Sequence, residues 1–232
     1  MAGVLFVVPT PIGNLEDITL RGLRVLKECH AIACEDTRQT IKLLNYFEIK
    51  KPLISFYSHN QARRVPELIE ILRNDKNIAL VSDCGTPGIS DPGYILIDEA
   101  VKQGITVSVL PGPCAAITAL VASGLPMDGF IFLGFLKRKP GKIRKELQAA
   151  GESGKTIVFY ESPHRIVKTL AICAEVFGQN ARAAIGRELT KKFEEIMRGD
   201  IGELQAQLSA KKEILGEFVV MVASSEIAKI NE

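Results

Sequence analysis

LVSDCGTPGISDPG, residues 80–93, is the stretch that decides the fold. It joins the end of an apolar run to a loop crowded with Gly, Pro and small polar residues. The run NIALVS (77–82) contains Ile and Val, is bounded by turn formers, and predicts a strand covered on both faces. Ser90 and Asp91 are helix-capping types, Pro92 suits a first helical position, and Gly104 suits a helix end, so a helix is expected from Pro92 onward. A strand that runs through a Gly/Pro loop into a helix is half of a βαβ unit, and in open α/β sheets ligands sit beyond the carboxyl ends of the strands. The pattern recurs in SVLPGPCAAITALVASG (108–124) and in TIVFYESPHRIVKTL (156–170).

Working outward, the first half alternates. Strands are expected at 3–8, 31–35, 53–56, 77–82 and from Thr106, with helices at 19–28 (capped by Thr19), 37–45, 61–74, from Pro92 and from Pro113. Such alternation predicts an α/β fold with a mostly parallel sheet and helices on both faces. GLPMDG (124–129) interrupts two apolar elements and marks a boundary between an N-terminal α/β domain, 1–123, and a C-terminal α/β domain, 124–232. Beyond it, strands beginning near Phe130, Thr156 and Ala181, the alternating segment 192–198 and the apolar segment 217–223 predict a second, mixed sheet.

The 232 residues are 47% hydrophobic and 24% charged, an ordinary globular composition. The apolar stretch near the N-terminus lacks a basic flank and is closed by Pro9, so neither a signal peptide nor a membrane span is expected, and the chain reads as cytoplasmic. Five cysteines, Cys29, Cys34, Cys84, Cys114 and Cys173, form no CxxC pair and are odd in number, which fits a reducing compartment. Cys29, His30 and Cys34 do not have the setting of a metal site, and no metal is expected. The net charge of +2 is unremarkable, but KRKPGKIRK (137–145) holds six bases in nine residues and no acid. It is either a solvated surface or a loop that faces phosphates. GxxxxGK[ST], GxGxxG after the first strand, HExxH and GxSxG are all missing, which sets aside P-loop kinases, dinucleotide oxidoreductases and serine hydrolases. The first strand is followed by PTPIGN (9–14), a stiff loop in which Gly13 permits close approach of a ligand.

PTPIGNLEDIT (9–19), EDTRQT (35–40), SHN (58–60), the stretch 80–93, LPGPCAAITAL (110–120), FLGFLKRK (132–139), VFYESPHRI (158–166) and GRELTKKFEE (186–195) together resemble the small-subunit ribosomal RNA cytidine-2'-O-methyltransferase family. That family belongs to the tetrapyrrole-methylase fold group. The resemblance spans nearly the whole chain. It implies a two-lobed, class III S-adenosylmethionine methyltransferase fold with the cofactor in the cleft between the lobes, 16S rRNA or the small ribosomal subunit as partner, and a homodimer. Cytidine 1402 of that rRNA, in the decoding centre, would be the acceptor. The family usually has Pro where Lys137 stands, and its longer members continue beyond the block resembling GEFVVMV (216–222).

Under that resemblance Asp83 is the expected polar anchor of the cofactor, with Thr86 and Ile89 beside it. Pro11 and Gly13 supply a wall, and Leu110, Gly112, Pro113 and Ala115 approach the adenosyl moiety. Lys137, Arg138, Lys139 and Arg144 are the expected RNA contacts. A ribose hydroxyl is a poor nucleophile until its proton is taken, so a carboxylate or imidazole near a strand end is sought. Glu35, His59, Glu161 and Glu188 qualify, with Glu161 preferred because Ser162 and Pro163 would open a helix beside it. A structural ion pair of Glu161 with Arg165 or Arg187 stays open. So do two other functions: a methyltransferase of the same fold acting on a corrinoid, tetrapyrrole or protein side chain, and a non-catalytic RNA-binding module.

Overall fold

A computed structural model describes residues 2–224. They divide into two compact units between Cys114 and Ala115. The division falls nine residues before Gly124. The reason lies in the helix Ala115–Ser123, which packs on the second sheet, where Gly186 fits against Ala119.

The first unit carries the strands β1 (Leu5–Val7), β2 (Ala31–Cys34), β3 (Leu53–Ser55), β4 (Ile78–Val81) and β5 (Val107–Val109). They form one sheet in the order β3-β2-β4-β1-β5, parallel throughout. Every residue of β2 and of β4 is buried, as continuous apolar strands covered on both faces require. Helices α1 (Leu20–Glu28) and α2 (Thr37–Tyr46) supply Val25, Leu26 and Leu44 to the core on one face. Helices α3 (Gln61–Arg73) and α4 (Tyr94–Lys102) supply Leu68, Leu72, Leu96 and Ala100 to the other. Thr19 caps α1 as its sequence predicts, accepting from the Gly22 N–H.

The chain after β1 therefore leaves for one face of the sheet, and the chain after the neighbouring β4 leaves for the other. Adjacent strands whose connections diverge open a crevice at their carboxyl ends. One expectation here is corrected. Pro92 does not open α4, which starts at Tyr94 after Gly93, and Ser90 adopts a left-handed φ of 70°. Asp91 is bonded to the hydroxyl of Ser82 and is not the cap of α4.

The second unit begins with α5 (Ala115–Ser123) and holds the strands β6 (Phe130–Phe135), β7 (Thr156–Glu161), β8 (Arg182–Arg187), β9 (Glu195–Asp200) and β10 (Phe218–Val222). Their order is β6-β7-β10-β8-β9; β6 and β7 are parallel and the other pairs antiparallel. Helices α6 (Pro140–Gly151), α7 (Ile166–Phe177) and α8 (Ile201–Ser209) bury Leu147, Leu170 and Leu204 against one face of this sheet. The basic segment 137–145 is thus only in part a loop, because Lys142, Arg144 and Lys145 lie on α6. Likewise Pro163 does not start α7; a turn in which Arg165 and Ile166 donate to the Ser162 carbonyl comes first.

Candidate functional site

Three loops of the first unit are tied together at the carboxyl ends of β1, β4 and β5. Thr10 and Gly85 exchange backbone bonds of 2.9 and 3.0 Å, and the Thr10 hydroxyl donates to the Ser82 carbonyl at 3.0 Å. Gly85 has a φ of 79°, and its position lies within contact of Ile12 and the Pro113 carbonyl. The Thr86 hydroxyl donates to that same carbonyl at 3.2 Å. A Cβ at Gly112 would stand 2.6 Å from the Pro9 side chain, so only glycine lets the loop 110–114 close on the loop 9–14. Pro11 is buried inside this arrangement and Leu110 roots it in the core, while Gly13, Asp83, Ile89 and Gly112 are exposed on it. Ala115, expected with this group, opens α5 in the second unit.

Carboxylates gather where β2 and β4 end side by side. The Asp36 N–H donates to Asp83 at 3.1 Å, and the Asp83 N–H donates in turn to the Glu35 carboxylate. Burial pushes the Glu35 carboxyl above its usual range, and the charges of Asp83 and Asp91 push it further. Asp83, though exposed, loses enough hydration among these loops to rise too; the Asp36 N–H opposes that rise and the Asp36 charge adds to it. Asp91 is raised to about 6, chiefly by burial, against the bond from Ser82. Asp36 goes the other way, to about 2, because the guanidinium and N–H of Arg38 satisfy it. Arg38 is the one base in the four segments 9–14, 35–38, 82–91 and 110–114. A site of backbone groups and carboxylates, three of them with raised proton affinity, suits a compact ligand that carries positive charge.

The other proposed bases stand elsewhere and differ in kind. His59 is exposed in the turn beyond the edge strand β3, against Tyr57; Asn60 bonds back to Tyr57 and Ser55 and does not cap α3 with its side chain. Glu161 is 3% exposed. Its carboxylate accepts from the Ser162 N–H at 2.8 Å and the Thr169 hydroxyl at 2.6 Å, and lies 3.4 Å from Arg165. Arg165 then donates to the Lys137 carbonyl at 2.8 Å, so Glu161 holds the root of the basic segment. Glu188 sits at a left-handed φ of 50° and accepts from Lys191 and from the Glu217 N–H, each at 3.0 Å. Burial opposes its charged form, but these two donors and Arg187 outweigh it and hold the carboxyl below its usual value. Lys137, Arg138 and Lys139 are exposed, whereas Arg144 is paired with Glu175 at 2.6 Å. Cys29 and Cys34 are buried with thiols raised by burial, and among the described residues no group of His, Cys, Asp and Glu is gathered for a metal ion.

The carboxylate pair missed in the sequence is Glu35 with Asp91. Neither lies in a Gly/Pro junction with its partner, and only the parallel pairing of β2 with β4 brings them near one another.

A sequence model of the family Tetrapyrrole (Corrin/Porphyrin) Methylases matches residues 4–205. Ribosomal RNA small subunit methyltransferase I of Bacillus subtilis is 47% identical over 99% of this chain and 78% of its own length. The protein of the same name from Hydrogenobaculum is 48% identical over 94% of this chain and 95% of its own. That from Thermotoga maritima is 44% identical over 97% and 100%. Among solved structures, a diphthine synthase superposes with a TM-score of 0.74 at 16% identity, covering 95% of this chain and 90% of that one. The native form of uroporphyrin III C-methyl transferase from Thermus thermophilus gives 0.67 at 16%, covering 98% and 100%. At such low identity these two likenesses show the fold alone.

Proposed function

The chain belongs to the tetrapyrrole methylase family, among the ribosomal RNA small subunit methyltransferase I proteins, and we propose that it transfers a methyl group from S-adenosylmethionine to the ribose 2'-hydroxyl of a cytidine in 16S rRNA. The observation that carries the reading is similarity over essentially the full length of relatives such as the Thermotoga maritima protein. Support comes from the strand-end crevice of the first unit, whose acidic and backbone groups fit a ligand bearing a sulfonium and an ammonium.

S-adenosylmethionine, when bound, supplies an activated methyl group on its sulfonium. The protein's share is to hold the donor in line with the acceptor oxygen and to keep water out. Asp83, with Thr86 and Ile89, anchors the polar end of the cofactor; Leu110, Gly112 and Pro113 present backbone to the adenosyl part, and Pro11 and Gly13 line the wall. Glu35 takes the ribose proton. Its carboxyl is raised toward neutrality, as a general base requires, whereas Glu161 and Glu188 are occupied by internal donors. Lys137, Arg138 and Lys139 bind RNA phosphates, beside an α6 N-terminus that has no acid in its first turn and no side-chain cap. The chain works on the small ribosomal subunit as a homodimer.

The test is incubation of the protein with labelled S-adenosylmethionine and either small ribosomal subunits or free 16S rRNA, followed by mapping of the product by its resistance to alkaline cleavage. A single alkali-resistant cytidine, cytidine 1402, is expected. Label on a base, on protein or on a tetrapyrrole overturns the reading.

A further inference from the structure

The basic segment has an aromatic neighbour that phosphate binding alone does not explain. β6 is the edge strand of the second sheet, paired in parallel with β7, and Phe132 lies opposite Val158. Regular pairing would set Gly134 opposite Tyr160. Instead the register slips by one residue and Phe135 takes that place, with Gly134 at a φ of 62°. Side chains alternate between the faces of a strand, so the slip moves Phe135 from the core face to the opposite one. The core face keeps Ile131, Leu133, Ile157 and Phe159. The other face gains a trio: the Tyr160 ring stands 5.0 Å from that of Phe132 and 5.4 Å from that of Phe135, edge-on to both.

This bulge does not serve burial, since it leaves Phe135 59% exposed. Next in the chain comes Leu136, buried, and then the exposed Lys137, Arg138 and Lys139 ahead of α6. Arg165, donating to the carbonyls of both Leu136 and Lys137, fixes this passage. A ring held rigid by two others and flanked by cations matches single-stranded RNA, in which a base stacks on the aromatic face while its phosphates meet the bases of the protein. We infer that Phe135, braced by Phe132 and Tyr160, is a stacking platform for an unpaired base of the RNA substrate. The inference rests on the RNA methyltransferase reading above and adds to it a contact with a base.

Fluorescence anisotropy of the full chain with a labelled single-stranded RNA, and with an abasic oligonucleotide of equal length, tests it. Phe135→Ala should weaken binding of the RNA about tenfold without altering the salt slope, leave the abasic strand unaffected, and be rescued by Phe135→Trp. Replacing Lys137, Arg138 and Lys139 by Ala should instead weaken both strands and flatten the salt slope by about 0.7 per lost contact. Unchanged RNA affinity in Phe135→Ala, or an equal loss on both strands, overturns the platform. A parent chain that binds S-adenosylmethionine in calorimetry but neither the oligonucleotides nor small ribosomal subunits overturns the RNA reading itself.

Discussion

Two strand ends carry a glutamate into a polar turn, and the fold uses them in opposite ways. At the end of β2, Glu35 meets Asp83 and Asp91, and its carboxyl is pushed up by burial and by like charge. At the end of β7, Glu161 meets Ser162, Thr169 and Arg165, which satisfy it with donors and a cation. The first carboxylate is held at some electrostatic cost, the mark of groups that do chemistry or bind ligands. The second is a strut. What separates them is the company each keeps: the loop between β4 and α4 in one case, the turn before α7 and the first turn of that helix in the other.

Matched substitutions give the sharpest break. Glu35→Gln should lower the single-turnover methylation rate about a hundredfold with S-adenosylmethionine affinity kept within a few-fold, the range of general-base catalysis. Glu161→Gln should leave the rate per folded molecule within about threefold, outside that range. It should lower stability by about 1–3 kcal/mol, because Thr169 and Arg165 lose a charged acceptor. Single-turnover rates and urea unfolding measure the two arms. If the effects were exchanged, Glu161 would become the base and Glu35 the strut.

Much of this was legible in the chain. The apolar runs at 31–34 and 78–81, Thr19 before α1 and the Gly/Pro loops at three strand ends gave the parallel sheet and its crevice, since each rests on local periodicity and turn chemistry. Partners distant in sequence were not. Thr169 lies eight residues from Glu161, and the Glu217 N–H that engages Glu188 lies 29 away. Asp91 reads as a helix cap until the fold turns it toward Ser82. The slip at Gly134 is invisible in FIFLGF, because strand alternation predicts the face of Phe135 only for an unbroken register.

A smaller effect sharpens the first region. Asp83→Ala removes the proposed anchor of the cofactor from a loop. A hydrogen bond to a charged group contributes about 2 kcal/mol, so the dissociation constant for S-adenosylmethionine should rise some thirtyfold. The melting temperature should hardly move, since the residue is exposed and the Asp36 N–H that donates to it can turn to water. Calorimetric titration with unchanged affinity would remove Asp83 from the site.

The smallest expected effect is a pH dependence, and it separates a cluster that binds positive charge from one that is merely crowded. Asp91 faces the Ser82 hydroxyl and the Asp83 carboxylate, with Glu35 close enough for its charge to be felt, and its carboxyl rises from 3.8 to about 6. A raised value means that the native state holds more protons than the unfolded chain between those two limits. The group's contribution to stability is therefore fully present below about 4 and is lost as pH rises through about 6. A cationic ligand works in the reverse sense, because it prefers the ionised carboxylate and must expel the proton. Affinity for S-adenosylmethionine should accordingly fall a few-fold as pH drops from 7 to 5.5, with proton release on binding near pH 6. Asp91→Asn should abolish that step and raise stability at pH 7 relative to the parent. Calorimetry in two buffers of different ionisation enthalpy reads the proton directly. Equal proton release in parent and variant would mean that Asp91 braces the loop through Ser82 and takes no part in recognising the charge of the cofactor.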